Sequence, residues 1–141
     1  MTDLPELSVR RFYARQMHLL DDGDVTGWAQ TFTETGSFAS NAMPAAVAGR
    51  DAIAKAAGET TAALARDKLR RRHWIGMLAI TAGDDDTVRV RSYALVIQTP
   101  IGGTPTVLAS TTCDDLLVAH GDDWLVADRV IARDDLDGVS P

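Results

Sequence analysis

His73 stands in the middle of Leu69–Thr81, a segment whose apolar residues otherwise suit a strand entering a core. An imidazole has an unperturbed pKa near neutrality, so at the wall of a cavity and beside a carboxylate it can accept a proton at cellular pH. The same ring, packed and hydrogen-bonded, can instead serve only to hold a strand in place. Which role applies is set by what surrounds it. Asp21 is a second polar residue of interest: in the turn Asp21–Asp24, Asp24 suits the cap of the helix that follows, whereas Asp21 has no capping role.

The elements that must position these groups run helices first and strands after, with no internal repeat, which predicts an α+β domain. A first helix is expected from a cap at Asp3, with Glu6 three residues on and Pro5 in the first turn, to about Leu20. Its apolar positions Val9, Phe12, Tyr13, Met17 and Leu20 fall at three- and four-residue steps, so one face is buried and Tyr13 is on it. A second helix is expected over Val25–Phe32, with Trp28 and Phe32 on one face, then a short strand Thr35–Asn41, a hairpin-like return over Ala42–Gly49, and an alanine-rich helix Arg50–Asp67. Four strands should follow, Leu69–Thr81, Thr87–Thr99, Thr106–Ala119 and Trp124–Arg133, joined by turns short enough for a consecutive antiparallel sheet. Strands of that length twist and bend, and a bent sheet closing over the first helices makes a cone with a hollow mouth.

The chain of 141 residues suits one domain over 1–141, with 1–4 and 135–141 as loose ends. A net charge of −6 argues against nucleic acid or an anionic membrane as partner. The one basic run, Lys68–Arg72, sits at a helix-to-strand junction and fits a solvated or dipole-compensating role. A single cysteine, Cys113, excludes an intrachain disulfide and suits a reducing cytoplasm. The N-terminus carries no leader pattern, no stretch approaches the roughly 18 apolar residues of a membrane span, and His18, His73 and His120 lack metal-ligand spacing, so an unprocessed, soluble, metal-free protein is expected.

The Asp21–Asp24 turn, the Trp28 and Phe32 pair, Thr35–Phe38, the helix start Gly49–Ile53, Arg72–Gly76 and the hairpin Gly121–Trp124 succeed one another in an order that resembles the superfamily of nuclear transport factor 2, scytalone dehydratase and the SnoaL-like polyketide cyclases. The likeness covers nearly the whole chain and is nearest to the dehydratase-type branch, which lies close to the small subunits of ring-hydroxylating dioxygenases. It implies a cone-shaped curved antiparallel sheet wrapped around N-terminal helices. It also implies that His73 pairs with Asp21, because in that branch a strand histidine and an aspartate at the end of the first helix move a proton together. Family pocket positions fall on Ser92, Thr111 and Cys113. The dehydratases carry a second histidine where this chain has Ser92, an asparagine where it has Cys113 and a tyrosine where it has Leu20, departures that count against scytalone-type dehydration. Tyr13, earlier on the same helix, can replace the missing phenol as a donor to a substrate oxygen. A ketosteroid-isomerase base would fall on Ser40, and the epoxide-hydrolase arrangement would need Arg91 between Asp114 and Asp128, for which surface pairing is the simpler fate.

The resulting expectation is a cofactor-independent cyclase, dehydratase or isomerase acting by proton abstraction on an apolar cyclic, polyketide-like or aromatic intermediate. His73 is the base, Asp21 its orienter, and Tyr13 with Ser92 the oxygen holders. Met17, Trp28 and Met77 are expected in the apolar wall, with Met43, Val96 and Leu116 as further candidates. A non-catalytic binding or accessory subunit on the same cone is the alternative from another class. Trp74, with Leu78 and Ile80, should mark a second, outward apolar face, which predicts a homodimer.

Overall fold

The computed structural model describes residues 5–137. The cap expected at Asp3 therefore lies outside the described residues, as do 1–4 and 138–141. Helix α1 (Glu6–Asp21) buries Val9, Phe12, Tyr13 and Met17 on the face that the spacing predicts, together with one polar residue, Gln16. After α1 the chain reverses through Gly23, whose φ of 84° is in the left-handed region that glycine enters without a Cβ penalty. Asp24 then caps α2 (Val25–Ala29), accepting the Gly27 N–H at 2.9 Å.

Helix α2 is shorter than the expected Val25–Phe32. The Thr31 hydroxyl donates to the Trp28 carbonyl, and the Thr31 carbonyl accepts the N–H of Val126, so the chain is drawn into the sheet before another helical turn forms. Strand β1 (Phe32–Ser40) consequently starts earlier than the spacing suggests. β2 (Val47–Ala48) supplies the return, and Gly49 (φ 95°) admits helix α3 (Arg50–Arg66), whose Ile53 and Ala57 are buried. Both Nε and Nη2 of Arg50 donate to the Phe32 carbonyl, at 3.1 and 2.6 Å, tying the start of α3 to the start of β1.

Strands β3 (Leu69–Ala82), β4 (Thr87–Pro100), β5 (Thr106–His120) and β6 (Asp123–Arg133) form the consecutive antiparallel sheet. β1 adds to β6 in parallel, giving the order β2-β1-β6-β5-β4-β3 in one curved, unclosed sheet over the helices. Phe12, Phe32, Leu117 and Val126 fill the space between, and burying each such side chain stabilises the fold by roughly 1.5–3 kcal/mol. Beyond β6 the chain stays attached: Asp135 pairs with Arg133 at 2.8 Å, and Asn41 Nδ2 donates to the carbonyls of Arg133 and Leu136.

Two bulges reset which side chains face inward. In β3 one extra residue lies between Gly76 and Ala79, and Met77 takes a φ of 56°. The alternation reverses there. Leu78 and Ile80, expected beside Trp74 on the outer face, instead pack on the core, and Met77, expected in the cavity wall, stands 78% exposed. In β6 an extra residue between Val126 and Asp128 makes Trp124 and Val126 inward on one side of the bulge and Arg129 inward on the other.

Candidate active site

Asp21 is the last residue of α1, where its charge meets the negative end of the helix dipole, an unfavourable position unless donors compensate. His73 supplies two. Its backbone N–H donates to Asp21 Oδ2 at 3.0 Å, and its ring Nδ1 lies 2.6 Å from Oδ1. The second contact orients the ring. A carboxylate accepts and does not donate, so the neutral imidazole keeps its proton on Nδ1 and its lone pair on Nε2. Nε2 has no hydrogen-bond partner among the described residues, and the His73 side chain keeps a quarter of its surface while that of Asp21 is nearly covered.

Both side chains border a cavity of about 620 Å³. One side is the end of α1, the opposite wall is α3 with Ala56, Ala57, Thr60, Leu64 and Ala65, and the sheet contributes Ile75 and Ile131. This is mostly apolar surface with few polar groups, the make-up of a small-molecule site.

Of the other residues expected in the site, Met17, Trp28 and Cys113 line the cavity, and so does Met43. Tyr13, Ser92 and Thr111 do not. The Tyr13 hydroxyl donates to Asp115 at 2.7 Å and is spent there, so it holds no substrate oxygen. Ser92 is sealed completely beside Cys113, and Thr111 Oγ1 donates to the Ala94 carbonyl at 2.9 Å. They lie on the correct sheet face, but the core covers them. Val96 and Leu116 are also outside the cavity lining. Arg91 and Asp114 pair in solvent at 3.3 Å while Asp128 accepts from Ser37, so these three do not assemble an arginine between two carboxylates. From the basic run, Arg71 is half-buried at the cavity with its Nε on Gln98 Oε1 at 2.9 Å; burial, and secondarily the charge of Arg133, lower its pKa.

The spacing gave no warning of a buried polar network at the base of the cavity. Arg129 Nε and Nη2 each donate to Asp115 at 2.9 Å, and Nη2 also donates to Gln16 Oε1 at 2.7 Å. Gln16 in turn donates to Thr31 Oγ1, and the guanidinium lies over the ring of Phe32. Burial opposes the charge on Arg129, but the Asp115 carboxylate more than offsets this and its pKa is raised. The Tyr13 hydroxyl is raised as well, by burial and then by the Asp115 charge. The available signal was Asp115 within the apolar end of β5, directly opposite Arg129 in register; the β6 bulge hides it from a count by twos.

Cys113 donates to Asp115 Oδ1 at 3.3 Å, and burial together with that charge pushes its thiol up to about 12. The thiol is thus protonated across the neutral range, and thiolate chemistry is closed to it. Iodoacetamide at pH 8 is expected to leave native Cys113 unmodified for hours and to label it within minutes in strong urea, read by intact-mass spectrometry. Rapid labelling of the native protein would contradict the buried, hydrogen-bonded thiol.

An α+β cone whose mouth carries a histidine and carboxylate pair defines a class, and the chain belongs to it: the family model for the SnoaL-like domain matches residues 4–130. Among solved structures it is similar to ActVI-ORFA from Streptomyces coelicolor, with 29% identity and a TM-score of 0.85, covering 94% of this chain and 97% of that one. Aln2 from another Streptomyces species is 36% identical with a TM-score of 0.83, covering 96% of each chain. A protein of Catenulispora acidiphila in complex with S-DNPA is 35% identical with a TM-score of 0.79, covering 92% of each. No curated protein sequence matches the chain significantly.

Proposed function

We propose that the protein is a cofactor-independent polyketide cyclase or dehydratase-type enzyme that abstracts a proton next to a carbonyl of a cyclic, apolar intermediate. The observation that carries this reading is the double hold of Asp21 on His73, which commits Nδ1 and leaves the lone pair on Nε2 of a ring that borders an apolar cavity. A base oriented in this way contributes typically about 10²- to 10⁴-fold to a proton transfer. The cavity is of a size for a ligand of two or three fused rings, and the complex of a similar protein with S-DNPA supports a small-molecule ligand for this one.

The test needs no natural substrate. In D₂O, wild-type protein is expected to exchange the protons next to the carbonyl of 2-tetralone, a bicyclic ketone, faster than buffer does, as followed by proton NMR. Absence of exchange with this ketone and with larger cyclic ketones that bind would favour a binding or accessory role.

The protein is further proposed to be a homodimer through the outer sheet face. Trp74 and Leu95 oppose one another in register there, and Tyr93 lies beside them, all exposed. Pairing with a second copy would cover this apolar patch. Light scattering at micromolar concentration is expected to return twice the chain mass, and Trp74→Glu a single chain mass; a monomeric wild-type protein would refute the dimer.

A further inference from the structure

Arg129 is buried but incompletely used. Its Nε and Nη2 are committed to Asp115 and Gln16, whereas Nη1 makes no hydrogen bond among the described residues. Nη1 is not one of the sealed side-chain nitrogen and oxygen atoms without a partner among those residues. Nη1 is therefore not sealed, and Arg129 lines the cavity. A planar guanidinium pinned on two nitrogens by a bidentate carboxylate holds its third in a fixed direction.

The charge of this group decides what it suits. Asp115 cancels the positive charge of Arg129, and Tyr13 and Cys113 occupy the rest of the carboxylate's acceptor capacity. What faces the cavity is thus a rigid donor with little net charge, in surroundings of low dielectric where a hydrogen bond to a polarised oxygen is strengthened. A carbonyl oxygen that gains negative charge when a neighbouring carbon loses its proton needs such a donor. An ammonium or other donor-only ligand would gain nothing from it.

We propose that Arg129 is a second substrate-binding group of the cavity, its Nη1 donating to the carbonyl or enolate oxygen of a cyclic ketone that extends between Arg129 and the Asp21–His73 pair. The choice of a ketone rests on the acid-base reading of this site. The probes are 2-tetralone and tetralin, which share a bicyclic skeleton and differ in the carbonyl. In protein labelled with ¹⁵N-arginine, the guanidinium resonance of Arg129 is expected to shift on titration with 2-tetralone and not with tetralin. Wild type should bind the ketone about tenfold more tightly, the order of one well-made hydrogen bond. Arg129→Lys keeps a cation for Asp115 but loses the forked nitrogen, and should bind both probes equally, while His73→Ala should retain the preference.

An unmoved Arg129 resonance at saturating ketone overturns the proposal, as does failure of 2-tetralone to bind at millimolar concentration. So does a preference that survives in Arg129→Lys and vanishes in His73→Ala. If Arg129→Lys does not fold, the wild-type resonance decides alone. The two readings fail separately: a shifted Arg129 resonance without proton exchange removes the acid-base chemistry and leaves the donor, whereas exchange with an unmoved resonance removes the donor and leaves the chemistry.

Discussion

His73→Ala and Asp21→Asn are each expected to slow proton exchange from a bound cyclic ketone by roughly 10²- to 10⁴-fold, with the double variant little slower than either single one. The non-additivity follows from the geometry, because Asp21 acts on the reaction only through the imidazole that it holds by Nδ1 at 2.6 Å. Asp21→Asn preserves size but offers an amide N–H in place of an acceptor oxygen. The ring is then driven toward the tautomer that carries its proton on Nε2, and the lone pair turns away from the cavity. Ligand affinity, measured by thermal shift, should change much less than the rate. Tyr13→Phe serves as the contrast: its hydroxyl is spent on Asp115, so exchange should stay within a few-fold of wild type. If His73→Ala exchanged the ketone at the wild-type rate, the proposed base would be wrong.

The second large effect is on stability. Removing either charge of the Arg129–Asp115 pair alone, by Arg129→Leu or Asp115→Leu, should lower the unfolding free energy by about 3–5 kcal/mol, because the remaining ion is left buried without its counter-charge. The double variant should recover much of that loss. Pairs of this kind cost heavily to desolvate, and an apolar replacement of both members avoids the cost while giving up the hydrogen bonds to Gln16, Tyr13 and Cys113. Tyr13→Phe should cost about 1.5–3 kcal/mol, the scale of one hydrogen bond to a charged group. Urea denaturation with an unchanged slope gives these values. Single variants that lost less than about 1 kcal/mol would mean that water reaches the pair and screens it.

Much of the architecture was legible in the chain because amphipathic spacing marks it. The buried face of α1 shows in Val9, Phe12, Tyr13 and Met17, and the four long strands show in apolar runs bounded by Gly83, Pro100 and Gly121. The family likeness placed Asp21 opposite His73, and the two do meet. The directions of Leu78, Ile80 and Arg129 were hidden by the two bulges. Nothing in the stretch around Met77 announces a left-handed residue, since methionine is an unusual occupant of that conformation, so Leu78 and Ile80 came out on the wrong face. The extra residue after Val126 likewise turned Arg129 inward and placed a guanidinium where alternation predicts an outward side chain. Tyr13 was assigned to the correct face with the wrong partner: helical spacing reports that a residue is buried, not which hydrogen bond its hydroxyl will make.

The wall that α3 presents to the cavity sets small side chains, Ala56, Ala57, Thr60 and Ala65, among the larger Ile53 and Leu64, on an element that carries neither the Asp21–His73 pair nor the Arg129 network. On the proposed function, α3 would share in setting the room open to a ligand, while the proton-transfer pair sits at the junction of α1 with β3 and the buried polar network on α1, β5 and β6. Substitutions at Ala56, Thr60 or Ala65 would change the room in the cavity without touching the contact between Asp21 and His73.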